Sequence, residues 1–447
     1  MELLLHYIWQ NRLMGMPLTL DDGQTVRIVK PGIHNNDAGP DFSGALITIG
    51  DQKWCGNVEI HIKASDWFRH GHDKDKAYDN IILHVVSVND TEIYRHNGDK
   101  IPQAQVTIPA DFCYTFATLQ AQMNDIRCKH NLPFIPDIRR HDWLETLAVE
   151  RIHLKAQRIL TYCNAFAGDW EQTVFITLAR ALGFGLNGVP FELLAKSLPL
   201  KYVYHHADSL TQIEALLFGQ AGMLSPCLYT DDMYYQTLCT EYEFLMHKYS
   251  LRPISRDLWK YSRSRPANFP HRRIALLAQF LYAGRSLTSE LLNARGRYQY
   301  LEPMFNIGLN DYWTTHNTFG TNASSSPTAL SRASIESLMI NVAAPFYHAY
   351  AAMTGDYIMG EYSIDLLSSI APERNSIITQ WNAAGLHADT ALRSQALIHL
   401  RREYCDRQRC LECRFGHHIL RRQASPIADK TLSPDAKPKP TLAGATT

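Results

Sequence analysis

Asp41, Glu59 and His61 are the residues of this 447-residue chain whose types and spacing can do chemistry. Asp41 follows Pro40 at the start of an apolar run, and Glu59 sits inside the next one, GNVEIHIK. An Asp and a Glu on neighbouring strands supply hard oxygen ligands for Mg2+ or Mn2+, and the Ile60 carbonyl adds a third. An ion held there polarises phosphoryl oxygens, generates hydroxide and stabilises a leaving oxygen. His61 lies two positions beyond Glu59 on the same strand face, where a neutral imidazole takes a proton from water. Lys63 shares that face and would act by charge. The expected activity is hydrolysis of phosphodiester bonds by Asp41, Glu59 and either His61 or Lys63. A plainer reading stands beside it: Asp41 caps a turn, and Glu59 and His61 line the wet face of an antiparallel sheet.

A second set overlaps the first. His61, His70, His72 and His84 crowd one short stretch, and HGH (70–72) presents two imidazoles close together. Imidazoles in such a group bind Zn2+, Mn2+ or Fe2+, with Asp66, Asp73 or Asp75 available to complete the site. The alternatives are loop histidines beside Trp67 and Tyr78, or His70 and His72 positioning a phosphate.

Two further clusters lie downstream. Cys405, Cys410 and Cys413 form C-x4-C-x2-C, with His417 and His418 close behind. Three thiolates with His417 would hold structural Zn2+; three with a distant fourth, such as Cys128, would hold an iron–sulfur cluster. Otherwise they are reduced thiols ending a helix. Arg263, Arg265, Arg272 and Arg273 concentrate around RPANFP, with Tyr261 and Phe269 available to stack on bases. The competing reading has these arginines paired with acidic neighbours around a helix start at Pro270.

The elements that must position these residues follow from periodicity. A first helix covers about 2–13, strand-like runs follow at Thr25–Lys30, Phe42–Ile49, Val58–Lys63 and Ile81–Val88, and a short helical tendency precedes the last. Val58, Ile60 and Ile62 point one way; Asn57, Glu59, His61 and Lys63 point the other. Thr91–Ile108 adds a strand or hairpin. From about residue 140 the pattern is helical, with a capping box DWLE (142–145) opening a helix to about 166 and others near 172–182, 210–224, 232–248, 270–284, 332–352 and 388–402. Formal net charge is zero, so nucleic acid would be bound through a local basic patch or a metal. No apolar run reaches the ~18 residues of a membrane span. The N-terminus lacks a basic stretch and a cleavage site, and nine scattered cysteines suit a reducing, cytoplasmic setting.

Pro40-Asp41 followed by Glu59-x-His61, set in helix–three strands–helix–strand, resembles the PD-(D/E)XK nuclease superfamily. There an Asp and a Glu bind metal, and a Lys follows where His61 stands here. NDAGPDF (36–42), GNVEIH (56–61), SDW (65–67), HGH (70–72), LHVV (83–86), RPANFP (265–270) and YCDRQRCLEC (404–413) are similar to the domain-of-unknown-function 2851 family of bacterial proteins. The expected fold is α+β: a restriction-endonuclease-like αβββαβ core over 1–115, an all-α domain over 116–423 ending in the cysteine cluster, and a disordered tail over 424–447. A metal-dependent nuclease is one reading. An inactive nuclease-like scaffold is another, and a His-rich metal hydrolase of a small molecule is a third.

Overall fold

The computed structural model describes residues 2–14, 18–35, 37–108, 110–121, 125–225, 228–262, 264–323 and 327–424. Apart from Ala424, the expected tail lies outside the described residues. The chain divides into two units, Met1–Arg140 with Glu403–Thr447, and His141–Arg402.

The first unit opens with α1 (Glu2–Gln10), whose Leu4, Leu5, Ile8 and Trp9 are buried. The strands are β1 (Leu18–Thr19), β2 (Thr25–Lys30), β3 (Ile33–His34), β4 (Phe42–Ile49), β5 (Gln52–Lys63), β6 (Ile81–Val88) and β7 (Gln103–Gln105). They form one mixed sheet in the order β1-β2-β4-β5-β6-β7, with β3 also against β4. β2, β4 and β5 are antiparallel neighbours, whereas β5, β6 and β7 run parallel. A parallel pair requires a crossover connection. Here it is α2 (Asp66–Arg69) and two single 3-10 turns, His72–Lys74 and Lys76–Tyr78.

The expected mixed sheet is present, but the αβββαβ pattern is not matched exactly. Three short strands stand beside that pattern, one of them within Thr91–Ile108, and the stretch with a short helical tendency is two 3-10 turns preceded by the single-turn helix α2. Thr91–Ile108 supplies β7 and a bridge between Tyr94 and Lys100.

Alternation along β5 holds, yet neither face is wet at its centre. Val58 and Ile60 are fully buried, and on the opposite face Glu59 and His61 are only 4% and 1% exposed. The solvated-face reading of these two residues therefore fails, while Lys63 at the strand end is exposed.

Among the described residues the second unit is helical, with one two-stranded ribbon, His316–Thr318 against Thr321–Asn322. The expected helix start at Asp142 is too late: the helix runs Asp137–Ala165, because the Pro136 carbonyl already accepts the Arg139 and Arg140 N–H groups. The stretch expected as one helix over 332–352 is Arg332–Leu338, a π turn Met339–Ala343, and Ala344–Thr354. Pro345 has no N–H to donate, which favours a wider turn just before it.

Candidate metal centre

β5 sends Glu59 and His61 to the same face, two residues apart. The parallel register sets Glu59 opposite His84 on β6. His84 Nε2 thereby comes 2.9 Å from His61 Nδ1. The chain leaves β5, makes α2, and turns back at His70-Gly71-His72. Gly71 has φ +76°, a left-handed conformation that side chains resist. This reversal returns both flanking imidazoles to β5.

His61, His70 and His72 consequently present three ligand atoms that all lie within 4.8 Å of one another. His61 Nε2 is 3.2 Å from His70 Nδ1. Glu59 Oε1 lies 3.2 Å from His72 Nε2 and 3.6 Å from His61 Nε2. Imidazole–zinc bonds of about 2.0–2.1 Å in a tetrahedral site put the nitrogens about 3.3 Å apart, a spacing that His61 Nε2 and His70 Nδ1 already have, so only the wider separations within the set must contract. His72 is stacked on Tyr78, with ring centroids 3.8 Å apart, and meets the edge of the Trp67 ring.

Electrostatics suits neutral, ligating imidazoles. Burial first, then His72 and His70, push His61 down to about 4. Burial also holds His84 well below its ordinary value, with His61 and His72 adding to it. A neutral His61 with its proton on Nδ1 donates to His84 Nε2 and leaves Nε2 bare, the orientation that outer partners impose on metal-binding histidines. His84 Nδ1 is buried without a hydrogen-bond partner. Burial raises Glu59 above its ordinary value, with Asp41 adding to the rise, although His72 and the Asp41 N–H oppose it.

The expectation that Asp41 and Glu59, with the Ile60 carbonyl, form a Mg2+ or Mn2+ site of a phosphodiesterase is overturned. The metal-competent cluster consists of three histidines. Asp41 is spent elsewhere: its Oδ2 accepts the Ile60 N–H at 2.9 Å and lies 3.2 Å from His6 Nε2. Glu59 Oε2 accepts the Asp41 N–H at 3.0 Å. Ile60 sits in the ladder opposite Val85. His61 stands inside the histidine set, and exposed Lys63 donates its backbone N–H to Asp66.

The residues match the family model described as "Protein of unknown function (DUF2851)" over 2–376. The chain belongs to the DUF2851 family. No curated protein and no solved structure matches it. The family match includes the histidine set and ends before Cys405.

Among the described residues, the sequence-selected arginines do not form one exposed patch. Arg263 lies outside the described residues, and Arg265 is exposed ahead of the 3-10 turn Pro266–Asn268. Arg272 is 1% exposed, and its guanidinium serves the Trp313, His316 and Pro327 carbonyls. Arg273 bonds Asn268 and covers the Phe184 ring. His417 Nδ1 pairs with the Tyr7 hydroxyl at 2.8 Å. Sequence reasoning passed over His6, which sits against Asp41; only its place on a helix preceding the sheet hinted at it.

Proposed function

We propose that His61, His70 and His72 hold a divalent transition metal, Zn2+ foremost, and that the site catalyses hydrolysis. The observation that carries this reading is the convergence of three imidazole nitrogens within 4.8 Å beside the Glu59 carboxylate. Three neutral nitrogen donors favour Zn2+ and its neighbours over Mg2+, which prefers oxygen. A metal so bound, with a position left open, polarises substrate oxygens and lowers the pKa of water to about 7.

The chain's own residues complete the chemistry. Glu59 Oε1, raised in basicity by burial, is placed to accept a proton from water at the site. His84 fixes the His61 ring from behind. Trp67 and Tyr78 fix His72 and close one side to solvent. His70 is exposed, which opens the other side to substrate.

Metal analysis of the purified chain tests the proposal. About one equivalent of Zn, Mn, Fe or Co is expected at the histidine site, lost in a His70→Ala/His72→Ala double variant that stays folded. Retention of all bound metal by that variant would sink the reading.

A further inference from the structure

The cysteines form a second constellation, separate from the histidines. Cys128 lies in the turn before the 3-10 turn Leu132–Phe134, and its carbonyl accepts the Asn131 and Leu132 N–H groups. Part of the residue reaches the surface, yet its thiol is deep in protein. The thiols of Cys405, Cys413 and Cys410 are all near enough to act on it electrostatically. Thus a residue far away in sequence lies within electrostatic range of all three members of C-x4-C-x2-C.

The surrounding backbone is tied together at this point. The Arg127 guanidinium donates to the Leu119 carbonyl and, at 3.1 Å, to the Cys405 carbonyl. Gln120 donates to the Gln408 carbonyl, and the Cys410 thiol lies 3.4 Å from the Leu119 carbonyl. The helix Arg414–Ala424 begins directly after Cys413, and a Cβ on Gly416 would sit 2.0 Å from the Cys410 carbonyl oxygen. Only glycine allows that helix to approach the cysteine loop so closely. Burial, with Cys413 adding to it, pushes the Cys410 thiol up to about 11, and Arg127, which bonds the thiol, only partly opposes this.

We propose that Cys128, Cys405, Cys410 and Cys413 are the four thiolate ligands of a thiophilic metal centre, an iron–sulfur cluster in preference to Zn2+. Four thiolates suit both. Spacing favours the cluster. Zn–S bonds of about 2.3 Å bring the sulfurs of a tetrahedral site within about 4 Å of one another. Among the described residues, the three histidines are the set whose ligand atoms fall within 4.8 Å, so no three of these thiols converge that tightly. Cysteines around a cubane cluster bind different irons and stand wider apart. Four thiolates crowded together repel, and an isolated buried thiolate is costly; a bound cationic core offsets both. His417, engaged with Tyr7, is left out of the ligand set. The centre would fasten the C-terminal segment to the segment carrying Cys128.

The test uses the full chain purified without oxygen, with iron, acid-labile sulfide and zinc measured beside the visible spectrum. The His70→Ala/His72→Ala protein serves as background, so that failure here is distinguishable from failure of the histidine site. Iron and sulfide in equal amounts with broad visible absorption, retained in that background and reduced at least tenfold by Cys128→Ser and by Cys410→Ser, supports the cluster. Zinc following the same pattern supports the four-thiolate site with the other metal. Absence of both metals, or their full retention in both cysteine variants, overturns the proposal. Should a cysteine variant fail to fold, X-ray absorption on the histidine-variant background decides: an all-sulfur ligand shell supports the site, and a shell without sulfur overturns it.

Discussion

Asp41 and Glu59 hold each other's strands. The Asp41 N–H donates to Glu59 Oε2, and the Asp41 carboxylate accepts the N–H of Ile60, the residue after Glu59. Two carboxylates whose spacing suggested a shared ion thus form a reciprocal clamp between β4 and β5. The free oxygen of Glu59 faces the histidines, and Asp41 faces His6.

Asp41→Ala should therefore act on stability. It leaves the Ile60 N–H without its acceptor and removes the partner of His6. A loss of ~1–3 kcal/mol is expected in denaturant unfolding. Metal content should change less than twofold, because the Asp41 carboxylate is not among the three converging ligands and is engaged by the Ile60 N–H and His6.

The His6–Asp41 pair should give a stability contribution with two limbs. His6 is buried, which alone would lower it, but Asp41 raises it above its ordinary 6.5. Its contribution is fully present below pH 6.5 and lost as pH rises through the higher folded value. Burial alone would raise Asp41, but His6 and the Ile60 N–H hold it below its ordinary 3.8. That contribution is present above pH 3.8 and lost as pH falls through the lower folded value. The difference in unfolding free energy between wild type and His6→Gln, followed against pH, should be largest between these limits. A difference independent of pH would contradict the pairing.

His84→Phe keeps an aromatic ring, a somewhat larger one, and removes the partner of His61 Nδ1. Outer partners of metal-binding histidines are typically worth about 10–100-fold in affinity. Titration with Zn2+ against a competing chelator should show a loss in that range with the fold intact. Unchanged affinity would mean that His84 does not orient His61.

Gly71→Ala should weaken the same site by another route. A β-carbon at φ +76° is strained and is expected to cost ~1 kcal/mol in unfolding measurements. It should also displace His70 and His72 and lower metal affinity at least severalfold. The nearby Ala77→Gly change, outside the reversal, should leave affinity unchanged.

In the second unit, Lys155 bonds Asn341 and Gln395, and burial first, then Arg151, pushes it down to about 7. Between pH 7 and its ordinary 10.5 the unfolded chain binds the extra proton, so stability from this group rises with pH. Chemical denaturation across that range should show wild type gaining on Lys155→Met as pH increases. A constant difference would place the ammonium in contact with solvent.

Much of the local structure was legible in the residues. The alternation through Val58–Lys63 and the β-branched Ile81–Val88 read as strands because side-chain periodicity reports backbone geometry over a few positions. HGH stayed open between a ligand pair, loop histidines and phosphate-positioning residues, because nothing local says which strand it faces. The helix start at Asp137 was missed because DWLE carries a capping pattern inside a helix that had already begun.

What the amino-acid sequence determined by itself was family membership, the mixed-sheet and helical segments, and the chemical types available: carboxylates, imidazoles and thiols. What only the tertiary structure decided was which of them meet. The parallel register of β5 and β6 set His84 behind His61. The reversal at Gly71 brought His70 and His72 over the same strand. The β4–β5 pairing turned Asp41 and Glu59 into a clamp, and the fold carried Cys128 to a triplet almost at the other end of the chain. Periodicity is a property of neighbours along the backbone, whereas a ligand set depends on strand register and side-chain direction between segments distant in sequence, which no local pattern encodes.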